Sequence, residues 1–325
     1  MDTGSHLLFG LTLAGLSTVD PQIAADPGLF AAVLAGTMVG SHAPDFDSVM
    51  RLKGKTAYIR AHRGITHSLP APFVWSAVIA AASGLIFGQW PHLFTIVLWT
   101  LAAVCFHIAL DLLNAYGVQC LRPFSRKWWH LDVLCLFDPY MFGLHAAGAL
   151  LWTLNAMTPA PLFASVYAAT ALYIAWRIWI RGVTLKKIRA VYPGTGAITL
   201  LPGMSGRVWQ FVAESESGET YHIGKVRDGV VIPERDILRT GKDGLPPAAQ
   251  ATLGTAGVRA FLDFADRIHV QVKGKLDGYE VVWSDIRFWH NDKMPFAAAV
   301  TLDHDLNVLR ERIGWNKKTW EPPFV

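Results

Sequence analysis

The sequence has 325 residues, of which 52% are hydrophobic and 17% charged, with a mean hydropathy of +0.30 and a formal net charge of +4. Soluble domains carry about 25% charged residues, so the composition excludes an ordinary soluble fold over the whole length. Cys105, Cys120 and Cys135 show no C-x-x-C spacing, which argues against a disulfide scaffold or a thiolate zinc site. Residues 1–181 hold ten Lys/Arg, eight Asp and no Glu, whereas residues 182–325 hold nineteen Lys/Arg and seventeen Asp/Glu. The reading is a mainly α chain: a multi-helix transmembrane bundle over 1–185, then a small α+β soluble domain over 190–325.

In chain order, Met1-Asp2-Thr3-Gly4-Ser5 lacks a basic n-region, so no removable signal is expected. Two short apolar segments follow, His6–Thr18 and Leu29–Val39, which cross a membrane partly or pack inside the bundle. Between Arg63 and Arg122 the only charged residue is Asp111. That gap holds Ala71–Phe87 and Leu93–Leu113, each near the length needed to cross a ~30 Å hydrocarbon core. A second pair, Phe142–Met157 and Leu162–Ile180, is split by Thr158-Pro159-Ala160-Pro161. A single large soluble helical core is disfavoured, because these segments lack polar faces. After Pro193, Ser217-Gly218, Asp228-Gly229 and Asp277-Gly278 read as hairpin turns between alternating stretches such as Glu219–Val226 and Tyr279–Phe288. One helix is expected near Ala248–Ile268.

Basic residues lie in three groups: Arg51, Lys53, Lys55, Arg60 and Arg63; Arg122, Arg126 and Lys127; and Arg177, Arg181, Lys186 and Lys187. Counting segments puts all three on one side, which the positive-inside rule makes cytoplasmic, together with the C-terminal domain. This charge reads as topology, so membrane lipids are the expected partner and no nucleic acid is expected. The sequence leaves oligomeric state open.

The chemistry-bearing residues concentrate early. His107 and Asp111 are four apart on an expected membrane helix, so they share a face. A carboxylate in such a segment is costly unless paired or metal-bound; the bland alternative is a His–Asp hydrogen bond between helices. His62 and His67 flank Gly64 in His62-Arg63-Gly64-Ile65-Thr66-His67-Ser68, at the junction of a basic loop and the next span. Pro44 disfavours helix at Ala43, so Asp45 and Asp47 project from a turn, where capping is the alternative for either one alone. His42 beside them reads as structural. His6 opens the first segment at the same level. These seven residues end up near one membrane surface, and the set exceeds the needs of one tetrahedral ion. The expectation is two or three divalent ions, zinc before manganese or iron, able to activate water for phosphate-ester displacement. Asp47 or a histidine would serve as base, and Arg63, Arg122 or Arg126 would hold an anion. Asp138, before Pro139, is a further ligand candidate, with a helix N-cap as the favoured reading.

At these residues the chain resembles the bacterial YdjM-type inner-membrane metal-dependent hydrolases, and within them the YfhP-like branch, which carries a C-terminal extension. The resemblance lies in Met1–His6, Pro44-Asp45-Phe46-Asp47, His62–Ser68, and His107–Asp111 with Asn114-Ala115-Tyr116-Gly117 and Arg122-Pro123-Phe124-Ser125. That family is distantly similar to zinc-dependent phospholipase C and P1-type nucleases, helical enzymes that hold three zinc ions and cleave phosphodiesters. The resemblance implies that His6 and Asp45 serve one ion and His107 with Asp111 another, with His62 and His67 completing the cluster. The chain departs from the wider group in having no N-terminal Trp ligand and no later His-x-x-x-Glu. The leading expectation is a membrane-bound hydrolase of phosphoesters or phospholipids. The alternatives are a metal-sensing or metal-transporting protein, and a scaffold whose metal site is structural.

Overall fold

A computed structural model describes residues 1–239, 244–290 and 293–315. The chain divides into two compact units: residues 1–48 with 63–181, and residues 49–62 with 182–325.

The first unit is helical. α1 (Thr3–Ser17) starts at Asp2, whose carboxylate accepts from Ser5 N. α2 (Pro21–Ala25) and α3 (Pro27–Gly40) each carry Pro at the first helical position behind an aspartate cap, Asp20 and Asp26. α5 (Ala71–Ile86) and α6 (Leu93–Leu112) form the next pair, and α7 (Pro139–Thr153) leads into α8 (Pro159–Val191), which runs on into the second unit. Between them, α4 (Lys55–Ala61) belongs to the second unit. Ile23, Leu29, Ala32, Val33, Ala80 and Ile96 form one core of the bundle. Glycines bring its helices close: a Cβ on Gly10 would stand 2.4 Å from Ser41 Oγ and 2.8 Å from Thr37 O, and one on Gly36 would stand 2.4 Å from Thr100 Oγ1. Small residues of this kind let membrane helices approach backbone to backbone.

Among the described residues, two helices are long and apolar enough to cross a membrane, Trp90–Leu112 and Pro159–Val191. A third span results if the broken helical stretch before α5 is counted with it. Their outward faces are apolar, with Phe94, Leu98, Leu172 and Trp179 all exposed, as expected of helices solvated by lipid. α7, with 15 residues, is shorter than a full span.

The second unit holds two four-stranded antiparallel sheets, each in sequence order. The first comprises β1 (Ile198–Pro202), β2 (Val208–Glu214), β3 (Thr220–Arg227) and β4 (Val230–Leu238). The second comprises β5 (Ile268–Lys275), β6 (Gly278–Asp285), β7 (Phe296–Leu302) and β8 (Val308–Trp315). All three expected Gly turns join strands. Asp228 and Gly229, at φ 49° and 80°, make the two-residue connection of β3 to β4. Val212, Tyr221, Ile223 and Ile237 pack with Ile286 and Trp289. The single helix expected over Ala248–Ile268 is instead two, α9 (Pro247–Thr252) and α10 (Ala256–Phe264), with β5 already begun at Ile268. Gly254 interrupts the first, and the Thr255 side chain caps the second by accepting from Val258 N. α4 packs on α10 and β8, with Arg60 Nη2 donating to Ala256 O at 3.2 Å. Residues 49–62, whose charge reads as a loop of the membrane domain, are therefore part of the soluble unit's packing.

Candidate metal centre

Three breaks in regular helix deliver the site. α3 ends at Gly40, and a 3₁₀ stretch, Ala43–Lys53, with Pro44 in its first turn, carries Asp45 and Asp47. Arg63, at φ 56°, reverses the chain before a 3₁₀ turn, Ile65–His67, that turns His67 inward. His107 and Asp111 share the buried face of α6 with Thr100, Val104 and Leu110.

Asp45, His67, His107 and Asp111 converge, all buried, with one ligand atom of each within 4.8 Å of the others. His67 Nε2 lies 3.2 Å from His107 Nε2 and 3.3 Å from Asp111 Oδ2. His107 Nε2 lies 3.4 Å from Asp111 Oδ2, and both imidazoles stand 3.7 Å from Asp45 Oδ1. A tetrahedral ion with bonds of about 2.0–2.1 Å requires about 3.3–3.4 Å between ligand atoms, so the spacing fits.

Hydrogen bonding behind the quartet fixes what each atom offers. His107 Nδ1 lies 2.7 Å from Ser41 O; a carbonyl accepts, so Nδ1 carries the proton and Nε2 presents its lone pair. Thr66 Oγ1 donates to Asp47 Oδ2 at 2.7 Å, so at 3.1 Å it accepts from His67 Nδ1, which bares His67 Nε2 in the same way. Asp111 Oδ1 accepts from Arg63 Nη2 at 3.0 Å and from the Met1 amine, leaving Oδ2 to the quartet. Asp45 Oδ1 and Asp111 Oδ2 are buried and have no hydrogen-bond donor. Four lone-pair donors thus face one another with no proton between them. Buried polar groups are almost always satisfied, and a cation at the centre would satisfy all four. The His/Asp cluster could therefore hold a metal ion. His107 is thereby backed by a carbonyl, an outer partner that metal-ligating histidines use, and His67 by a hydroxyl in the same place.

Of the remaining sequence candidates, His6, Asp47 and Arg63 flank this quartet. His6 stacks on His107 with ring centroids 3.7 Å apart, and its Nε2, buried and without a hydrogen-bond partner, is 3.5 Å from Asp111 Oδ1. Asp47 stands behind His67, its Oδ2 accepting from Arg63 N at 3.0 Å as well as from Thr66. Arg63 is buried; besides Asp111 it reaches Gly117 O at 3.4 Å. His62 caps the C-terminus of α4, in the second unit, stacked on Tyr58 at 4.7 Å, and is not one of the four. Asp138 takes the favoured reading, the N-cap of α7: its carboxylate accepts from Tyr140 N and Met141 N at 3.1 Å and from the Tyr173 hydroxyl at 2.9 Å. His42 lies edge-on to Phe46. The sequence reading did not single out Ser41, Thr66 and Gly117. Ser41 and Gly117 act through backbone carbonyls, for which residue type gives no signal. Thr66 lies inside the His62–Ser68 run and was findable there.

A family model described as YdjM inner membrane protein matches residues 1–183, and one described as YfhP C-terminal alpha/beta plait domain matches residues 247–321. A curated protein of Bacillus subtilis (strain 168), named Uncharacterized protein YfhP, is 34% identical over 328 positions, covering 97% of this chain and 95% of that protein. No solved structure matches. The distant likeness to phospholipase C and P1-type nucleases draws no support from these comparisons.

Proposed function

The chain belongs to the YdjM inner membrane protein family, and from that premise we propose a membrane-bound, metal-dependent hydrolase of phosphoester or phospholipid bonds, working at the cytoplasmic face with the soluble unit on the same side. The observation that carries the reading is the set of four buried lone-pair donors, Asp45, His67, His107 and Asp111, drawn from three separate segments and backed by fixed partners. Two nitrogens and two oxygens without thiolate suit zinc, with manganese or iron next. One ion is assigned to the quartet; His6 and Asp47, which stand next to it, are where further ions would find ligands. A divalent ion held there would supply a Lewis acid and lower the pKa of water at the site.

The chain's own residues do the rest. Ser41 O and Thr66 hold the two imidazoles in the tautomer that binds. Besides being a candidate ligand for a further ion, Asp47 positions the Arg63–His67 turn, its Oδ2 accepting two hydrogen bonds there. Arg63 orients Asp111 through its hydrogen bond to Oδ1. Protein purified without chelator should contain at least one equivalent of zinc, manganese or iron by elemental analysis, and His107→Ala should lose it. Full occupancy in that variant would remove the assignment. A screen of phosphodiesters and phospholipids should show hydrolysis that a chelator abolishes; metal-loaded protein inert across the screen would count against the hydrolase.

One observation favours the alternative of ion sensing or transport. His145, buried on α7, bonds Thr12 Oγ1 at 2.8 Å and Thr170 Oγ1 at 2.9 Å, a polar link through α1, α7 and α8. Metal flux into proteoliposomes, lost in His145→Leu and without hydrolysis, would support that reading instead.

A further inference from the structure

The turn between α6 and α7 holds a cluster of charge that the metal centre leaves unused. Arg122, Arg126 and Lys127 lie within six residues of one another, and there is no Asp or Glu between Asp111 and Asp132. Among the described residues none of the three pairs with a carboxylate, and Arg122 Nε is buried without a hydrogen-bond partner. Burial, and then the like charge of Arg126, hold the Arg122 guanidinium below its ordinary range.

The backbone enforces this crowding. Val118 and Trp129 exchange two hydrogen bonds of 2.9 Å. Gln119 Nε2 donates to Arg126 O at 2.9 Å, Arg122 N to Gln119 O at 3.2 Å and Ser125 N to Leu121 O at 3.1 Å. Main-chain bonds thus fix two arginines on one short turn, each near enough to feel the other's charge and neither paired with a carboxylate among the described residues, an arrangement suited to a phosphate. Between them in sequence stands Phe124, 82% exposed, with Leu121, Trp129 and Leu131 also exposed nearby. The turn leaves α6 at the end of a span, and Leu69 N, just before α5, donates to Arg122 O at 3.3 Å. A bare aromatic among cations at the end of membrane helices belongs at the level of lipid headgroups.

We propose that the turn at residues 121–131 binds the headgroup of an anionic phospholipid, with Arg122 and Arg126 on the phosphate, Lys127 adding charge, and Phe124 entering the acyl boundary. The exposed Phe124 favours a lipid over free phosphate, which has no use for an apolar neighbour. The site does not depend on the hydrolase reading.

The test titrates full-length protein in neutral detergent with phosphatidylglycerol, phosphatidylcholine or inorganic phosphate, reading tryptophan fluorescence. Phosphatidylglycerol should bind more tightly than phosphatidylcholine. Neutralising both arginines in R122Q/R126Q should weaken it by about fivefold each, roughly 25-fold together, from the usual contribution of a basic residue at an anionic membrane surface. Phe124→Gln should weaken phosphatidylglycerol and leave inorganic phosphate unchanged, while His107→Ala should keep the lipid preference. Undiminished phosphatidylglycerol binding in the double variant would overturn the site. Inorganic phosphate binding as tightly as the lipid, unaffected by Phe124→Gln, would make it a free-anion site and overturn the lipid. If the double variant fails to fold, the unaltered protein still decides: phosphatidylglycerol affinity must fall as salt rises, and salt-independent binding would refute the proposal.

Discussion

At His107 one backbone carbonyl, that of Ser41, decides which ring nitrogen can bind, and at Asp111 the Arg63 guanidinium, with the Met1 amine, decides which oxygen. Arg63→Gln should therefore act twice. Removing one partner of a buried ion pair costs about 3–5 kcal/mol, and loss of an outer partner lowers metal affinity by roughly 10–100-fold. Chemical denaturation and competitive metal titration read the two effects separately; unchanged affinity would mean that Arg63 does not orient Asp111. Cys135 gives an independent check on burial. Its thiol is pushed up to about 12 by burial and then by Asp138, and the thiolate is the reactive form. In folded protein Cys135 should resist maleimide at neutral pH and react once denatured, as mass spectrometry would show; rapid native labelling would contradict the packing. The residue types of the site were legible because His and Asp are conspicuous in an apolar sequence. The grouping of Asp45, His67, His107 and Asp111, with Asp47 hydrogen-bonded to Thr66 and Arg63 N, was not, since it depends on who donates to whom.

At the scale of elements, the geometry of the candidate metal site depends on how closely α1 and α3 approach. Gly10 sits against Ser41 and Thr37 O, and the Ser41 carbonyl is what holds His107. Gly10→Ala should cost about 1–3 kcal/mol by overpacking and also weaken metal binding, although Gly10 touches no ligand. Thermal unfolding with and without metal would show it; a variant with native metal affinity would uncouple the helix contact from the site. The apolar segments at α5, α6 and α8 were legible from length and hydropathy, because a lipid-facing helix needs little else. The soluble helix was misjudged as one piece because apolar periodicity runs through Leu253-Gly254-Thr255, and only the Thr255 cap shows that the chain restarts there. The hairpins were legible from their Asx-Gly and Ser-Gly turns, the shortest-range signal in the chain.

At the scale of the molecule, the second unit is discontinuous in sequence. Residues 49–62 join it across more than a hundred intervening residues, and α4 finds its packing on α10 and β8. Nothing in a charge count reveals this, because Arg51, Lys53, Lys55 and Arg60 look the same in a solvated loop and on a docked helix. A chain ending at residue 181 should expose 49–62 to trypsin at Arg51, Lys53, Lys55 and Arg60, while the full chain should be cut there more slowly; equal rates would show that α4 does not need its partner.

The split also sets an order of events during synthesis. α4 leaves the ribosome long before its docking surface exists, since β8 is made only at residues 308–315. Until then α4 lacks that contact, and among the described strands the one that supplies it is made last. The soluble unit therefore completes its packing late: α4 gains its contact with β8 only once residues 308–315 have been made.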